Sequence, residues 1–134
     1  MCDGSPDPAP AIHPLADTLA PLFSDYIAAS PVEQVIVAGC DPQGRLHDFI
    51  IVSQHDPLKV GHVDKAISRI LGHPRVRTII LAHNHPCGTA VPSQADIAVT
   101  RRMAAFARLG GGELADHLLY ANGAPQSFRA LGLL

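Results

Sequence analysis

Residues 76–96 read VRTIILAHNHPCGTAVPSQAD, and the architecture of the chain follows from this stretch. Val76–Ala82 is an almost unbroken apolar run rich in β-branched residues, which predicts a buried strand covered on both faces. The run passes directly into His83-Asn84-His85-Pro86-Cys87-Gly88, where Pro86 and Gly88 predict a loop. Ser93 then precedes a helical period, and an acid stands three residues on at Asp96, the spacing of a capping box. Val99, Met103 and Phe106 form the inward stripe of that helix, while Arg101 and Arg108 point away. Gly110-Gly111-Gly112 ends it.

The same alternation continues on either side. Downstream, Leu114–Tyr120 reads as a strand, Asn122-Gly123 as a turn, and Ser127–Leu134 as a short helical turn. Upstream, Val63, Ala66, Ile67, Ile70 and Leu71 follow the i, i+3, i+4, i+7, i+8 pattern of an amphipathic helix that Gly72-His73-Pro74 stops. Two strands precede it, Val32–Cys40 and Leu46–Ser53, around the turn Asp41-Pro42-Gln43-Gly44. Their apolar runs, Val35–Ala38 and Phe49–Val52, suit strands covered on both faces. Leu15, Leu19, Leu22, Phe23, Tyr26 and Ile27 form one helical stripe, with Pro21 either opening the helix or kinking it. Residues 1–14, carrying Pro6, Pro8, Pro10 and Pro14, read as a disordered Pro-rich leader, and residues 15–134 as one domain. Helices and strands alternate, so the expected class is α/β with a single mixed sheet flanked by helices.

Composition removes several function classes. The chain has 134 residues, 47% of them hydrophobic, enough for one core and too many for global disorder. Ten Lys and Arg against twelve Asp and Glu leave a net charge of −2, which argues against direct nucleic-acid binding through a basic surface. No apolar run reaches the roughly 20 residues of a membrane span. Cys2, Cys40 and Cys87 are odd in number and irregularly spaced, which points to a reducing, cytoplasmic setting rather than a disulfide framework.

Chemistry concentrates at 83–96. In extended chain, residues i and i+2 point to one side, so His83 and His85 can reach the same ion. Asp96 follows eleven residues after His85, in the first turn of a helix, where the intervening loop can fold it back. Singly, each residue has an ordinary reading: a polar strand end, a helix-cap acid, an N-cap serine. Together, two imidazoles and a carboxylate suit zinc and leave a fourth position open for water, the mark of a catalytic rather than a closed structural site.

His83-x-His85-Pro86 followed by Ser93-x-x-Asp96 resembles the JAMM motif of the MPN/JAB-domain metalloproteases, and within them the bacterial RadC-like branch. LAHNHPCGTAVPSQADIAVTRRM, Asp116-His117-Leu118 and the terminal SFRALGLL are similar to that branch's extended signature. The resemblance spans about residues 31–134. It implies an α/β sandwich around a mixed, curved sheet, with the layering of cytidine deaminases and zinc at one edge.

The resemblance also implies roles. One zinc per chain would be held by His83, His85 and Asp96. The family's upstream glutamate matches Glu33, fifty positions before His83; the other glutamate, Glu113, follows the motif. Glu33 would serve as general base, and the Ser93 hydroxyl would donate to the oxyanion. The implied reaction is hydrolysis of a peptide, isopeptide or related amide bond by a zinc-activated water, on a peptide or protein-amide substrate. Cys87 departs from the branch's usual Ser, either as a tolerated small residue or as a thiolate that closes the metal shell. In the place of the helix-hairpin-helix module that often precedes the domain, the expectation here is the Pro-rich leader and one helix. A zinc nucleobase deaminase fails on ligands, since Pro86-Cys87 has no second cysteine at the required spacing. A non-enzymatic MPN-type scaffold and a DNA-repair-associated accessory protein are the alternatives. Asp116-His117 is either support for the metal ligands or a buried structural pair.

Overall fold

The computed structural model describes residues 10–53, 60–86, 88–89 and 91–134. Five strands form one mixed sheet in the order β2-β1-β3-β4-β5. They are β1 (Gln34–Cys40), β2 (Leu46–Ser53), β3 (Thr78–Asn84), β4 (Glu113–Tyr120) and β5 (Gln126–Ser127). The helices are α1 (Pro14–Ile27), α2 (Val60–Leu71) and α3 (Gln94–Leu109). β3 and β4 are parallel and connected through α3; every other neighbouring pair is antiparallel. The expected α/β class with a helix-flanked mixed sheet is the one observed.

Side-chain alternation along the central strands sorts two cores onto opposite faces of the sheet. Val35, Val37, Ile79 and Leu81 pack with Val63, Ile67 and Ile70 of α2 and Met103 and Ala107 of α3. Ile36, Ala38, Ile80 and Ala82 pack with Ala16, Phe23 and Ile27 of α1. Helix α2 approaches the sheet so closely at Gly39 that a Cβ there would overlap Ile70 and Val76.

Several boundaries differ from the sequence reading. Helix α1 begins at Pro14, which occupies a first-turn position, and runs through Pro21. Of the leader expected over 1–14, residues 1–9 lie outside the described residues. Ile12 packs against the α1-side core, and the His13 side chain caps α1 by accepting from Leu15 N–H at 3.1 Å. Strand β2 is not covered on both faces. It lies at the sheet edge and leaves Asp48, Ile51 and Ser53 exposed. Strand β3 continues two residues past Ala82, because its backbone pairs on both sides: His83 lies opposite Val35 of β1 and Leu119 of β4. The ladder extends one step further, His85 N–H donating to Tyr120 O at 2.9 Å. Both histidines are therefore set by the sheet rather than by a loop. The C-terminal piece opens on the short strand β5 and continues as turns, among them a single helical turn in which Leu131 N–H donates to Ser127 O at 3.0 Å.

One irregularity matters for the site. In β4, Leu114 lies opposite Ile79 and Asp116 opposite Ile80, so Ala115 is an extra residue, a β-bulge. Leu114 joins the α2/α3 core and Ala115 the α1 core. The bulge shifts the alternation by one residue, so that Asp116 and Leu118 face α1 and His117 faces α3. Without it, His117 would point to the opposite side of the sheet. The bulge is secured from the C terminus, where Arg129 Nε donates to Ala115 O at 2.7 Å.

Candidate metal centre

The site lies at the carboxyl ends of the parallel strands β3 and β4, above the N terminus of α3, the position where α/β sheets commonly receive ligands. His83, at the end of β3, is 3% exposed. Its Nε2 lies 3.1 Å from Nε2 of His85 and 3.5 Å from Oδ1 of Asp96. His85 Nε2 lies 3.2 Å from Asp96 Oδ2. His85 Nδ1 is 3.0 Å from the carbonyl oxygen of Thr89. A carbonyl only accepts, so Nδ1 carries the ring hydrogen of a neutral His85 and Nε2 faces the site bare.

Asp96 is placed by local helix chemistry. Ser93 is the N-cap of α3 and its Oγ accepts from Asp96 N–H at 3.0 Å, while Asp96 Oδ2 accepts from Ser93 N–H at 2.9 Å. The capping box expected from sequence is thus the device that aims the carboxylate. Burial raises the Asp96 pKa, but positive charge at His83, whether a ring proton or a bound cation, and the hydrogen bond from Ser93 N–H outweigh it and hold the group well below the usual carboxylate range.

Glu33 immediately precedes β1 and is half-buried. Its carboxylate and the two imidazoles offer ligand atoms that all lie within 4.8 Å of one another. The structure therefore brings together all of Glu33, His83, His85 and Asp96, with Ser93 beside them. Cys87 lies outside the described residues.

These groups fit a divalent metal. Tetrahedral zinc with bonds of about 2.0–2.1 Å separates its ligand atoms by about 3.3–3.4 Å. The three contacts among His83, His85 and Asp96 measure 3.1, 3.2 and 3.5 Å. Acceptor atoms converging this closely require positive charge between them, as ring protons or as a bound cation.

Two residues that sequence reasoning missed hold this arrangement. Asn84, between the histidines and 1% exposed, points to the other face of the sheet. Its Oδ1 accepts from Gln34 N–H at 2.7 Å, and its Nδ2 donates to Val32 O at 3.0 Å and Ser30 O at 3.3 Å. Those bonds clasp the backbone on both sides of Glu33 and delay the start of β1 to Gln34. An asparagine in a strand-like run is the only trace of this in the sequence. Asn84→Ala is expected to lower stability by about 1–3 kcal/mol, because it orphans buried backbone groups. A urea titration showing no change would remove the clasp.

The second is Thr100 in α3, fully buried beside His117. His117 Nε2 lies 2.7 Å from His83 Nδ1, and His117 Nδ1 lies 2.7 Å from Thr100 Oγ1. Phe128 stacks on the His117 ring at 4.3 Å and 14°. Burial, aided by the neighbouring His83, pushes the His117 imidazole well below its ordinary pKa. The two readings of Asp116-His117 thus divide between its members. His117 touches a candidate ligand, and Asp116, on the other face, accepts four hydrogen bonds from backbone and serine groups.

The family model for the RadC-like JAB domain matches residues 15–133. Among curated proteins, the UPF0758 protein of Marinomonas sp. is 31% identical over 125 residues, covering 89% of this chain and 53% of that protein. The UPF0758 protein of Finegoldia magna is 29% identical over 123 residues, covering 84% of this chain and 51% of its own length. That of Symbiobacterium thermophilum is 34% identical over 101 residues, 67% of this chain and 43% of the relative. The chain spans about half the length of the curated relatives it matches.

Proposed function

The chain belongs to the RadC-like JAB domain family, and we propose that it is a zinc-dependent hydrolase of the JAMM type that cleaves a peptide, isopeptide or related amide bond. The observation that carries this reading is the convergence of His83, His85 and Asp96 within 3.5 Å, with Glu33 alongside.

His83, His85 and Asp96 are the metal ligands. Asp96 is preferred over Glu33 because its carboxylate is locked by the α3 capping box, whereas Glu33 sits on a non-helical, non-strand segment. Zinc bound there would supply a Lewis acid and bring the pKa of a water toward neutrality. Glu33 takes the proton of the attacking water and delivers it to the leaving nitrogen. Ser93 Oγ accepts from Asp96 N–H, which fixes the oxygen and leaves its own hydrogen free to donate to the carbonyl oxygen as charge develops. The substrate is a peptide-like amide. No helix among the described residues is long and apolar enough to cross a membrane.

Elemental analysis of the untagged protein tests the centre. About one zinc per chain is expected, with Asp96→Asn losing most of it, since an amide oxygen is a poor substitute for a carboxylate ligand. A folded protein that takes up no metal when zinc is supplied would leave the non-enzymatic scaffold as the reading.

A further inference from the structure

We propose that Thr100 and His117 form a hydrogen-bonded wire that fixes His83 as its Nδ1–H tautomer and so presents a bare Nε2 to the metal centre. The inference rests on the metal-centre reading, in which neither residue is a ligand; both are positioning residues.

The direction of the wire follows from its far end. Thr100 Oγ1 lies 2.7 Å from the backbone carbonyl oxygen of Asp96. Two oxygens at that distance need a hydrogen between them, and only the threonine hydroxyl has one. Its hydrogen being spent there, the 2.7 Å contact between Thr100 Oγ1 and His117 Nδ1 takes its hydrogen from the imidazole. The His117 ring is enclosed with no carboxylate in contact among the described residues, so the hydrogen already placed at Nδ1 is its only one, and its Nε2 accepts across the 2.7 Å contact from His83 Nδ1–H. That leaves His83 Nε2 without a hydrogen, facing His85 and Asp96. His85 reaches the same state by a separate route, through Thr89 O.

The wire begins at one candidate ligand, His83, and ends on the backbone of another, Asp96, so a single chain of three bonds orients both. Every link is enclosed: His83 is 3%, His117 5% and Thr100 0% exposed. Water therefore does not compete for the contacts. The β4 bulge puts His117 on the α3 side, and the Phe128 stack holds its ring plane.

The test uses the whole chain, with zinc affinity measured by chelator competition and ring tautomers read from two-bond 1H–15N spectra. Thr100→Val keeps the volume and removes the hydroxyl. It is expected to weaken zinc binding about 10–100-fold, and Thr100→Ser is expected to restore affinity to within about threefold of the original protein. In the zinc-free protein at a pH where His83 is neutral, His83 is expected as Nδ1–H. Wild-type affinity in a folded Thr100→Val, or His83 as Nε2–H, overturns the wire. If the unsubstituted protein binds no zinc, the metal reading fails, while the tautomer spectrum still supports or overturns the wire.

Discussion

Glu33→Gln is expected to retain about one zinc per chain while turnover falls by about 10²–10⁴-fold, the usual contribution of a positioned general base. Glutamine keeps the length and shape of the side chain, so the segment clasped by Asn84 stays in place, but an amide cannot take a proton from water. The candidate ligands His83, His85 and Asp96 are untouched. Pairing the substitution with Asp96→Asn separates the two acids, because the first abolishes chemistry and the second removes metal. Metal content and initial rates, on an amide substrate found by screening peptides and isopeptides, give the answer. Undiminished turnover in Glu33→Gln would end the base assignment. Loss of zinc would make Glu33 a ligand, which its place within 4.8 Å of both imidazoles also permits.

The largest effect on stability is expected away from the metal centre, at Asp116. Its carboxylate is 0% exposed and accepts from His13 N–H at 3.0 Å, His117 N–H at 2.7 Å, Ser127 Oγ–H at 2.6 Å and Arg129 N–H at 3.1 Å. One side chain thereby joins the start of α1, the β4 bulge and the C-terminal turn. Asp116→Ala orphans all four donors, and a buried donor without a partner costs about 1–3 kcal/mol. With some donors rescued by water, a net loss on the order of 4 kcal/mol is expected against a typical total of about 5–15 kcal/mol. For a domain of this size that corresponds to a fall in Tm of about 10 °C or more. Because the bulge also aims His117, zinc affinity should weaken in whatever fraction stays folded. A Tm within about 2 °C of the parent protein would mean that the carboxylate does not hold the three segments together.

The terminal Ser127-Phe128-Arg129 gains a physical meaning from the same region. Ser127 donates to Asp116, Phe128 stacks on His117, and Arg129 satisfies the carbonyl that the bulge frees. In the sequence these three are only part of a resemblance. In the fold they are the underside of the site.

Local interactions were legible in the residues themselves. The capping box of Ser93 and Asp96, the apolar run of β3, the amphipathic α2 and the i, i+2 pairing of His83 with His85 each depend on neighbours a few positions apart. Periodicity and short-range hydrogen bonding report such neighbours faithfully. The edge position of β2, the extension of β3 to Asn84 and the continuation of α1 through Pro21 were not legible, because each depends on which segments lie alongside. The same holds for the supports of the site. Asn84 acts on backbone about fifty residues away, His117 reaches His83 across 34 positions and Thr100 across 17. A one-residue bulge determines the face on which His117 emerges. The candidate ligands were thus legible from side-chain chemistry at short range. Their aim came from long-range pairing, because a buried polar group must find its partner wherever the fold puts one.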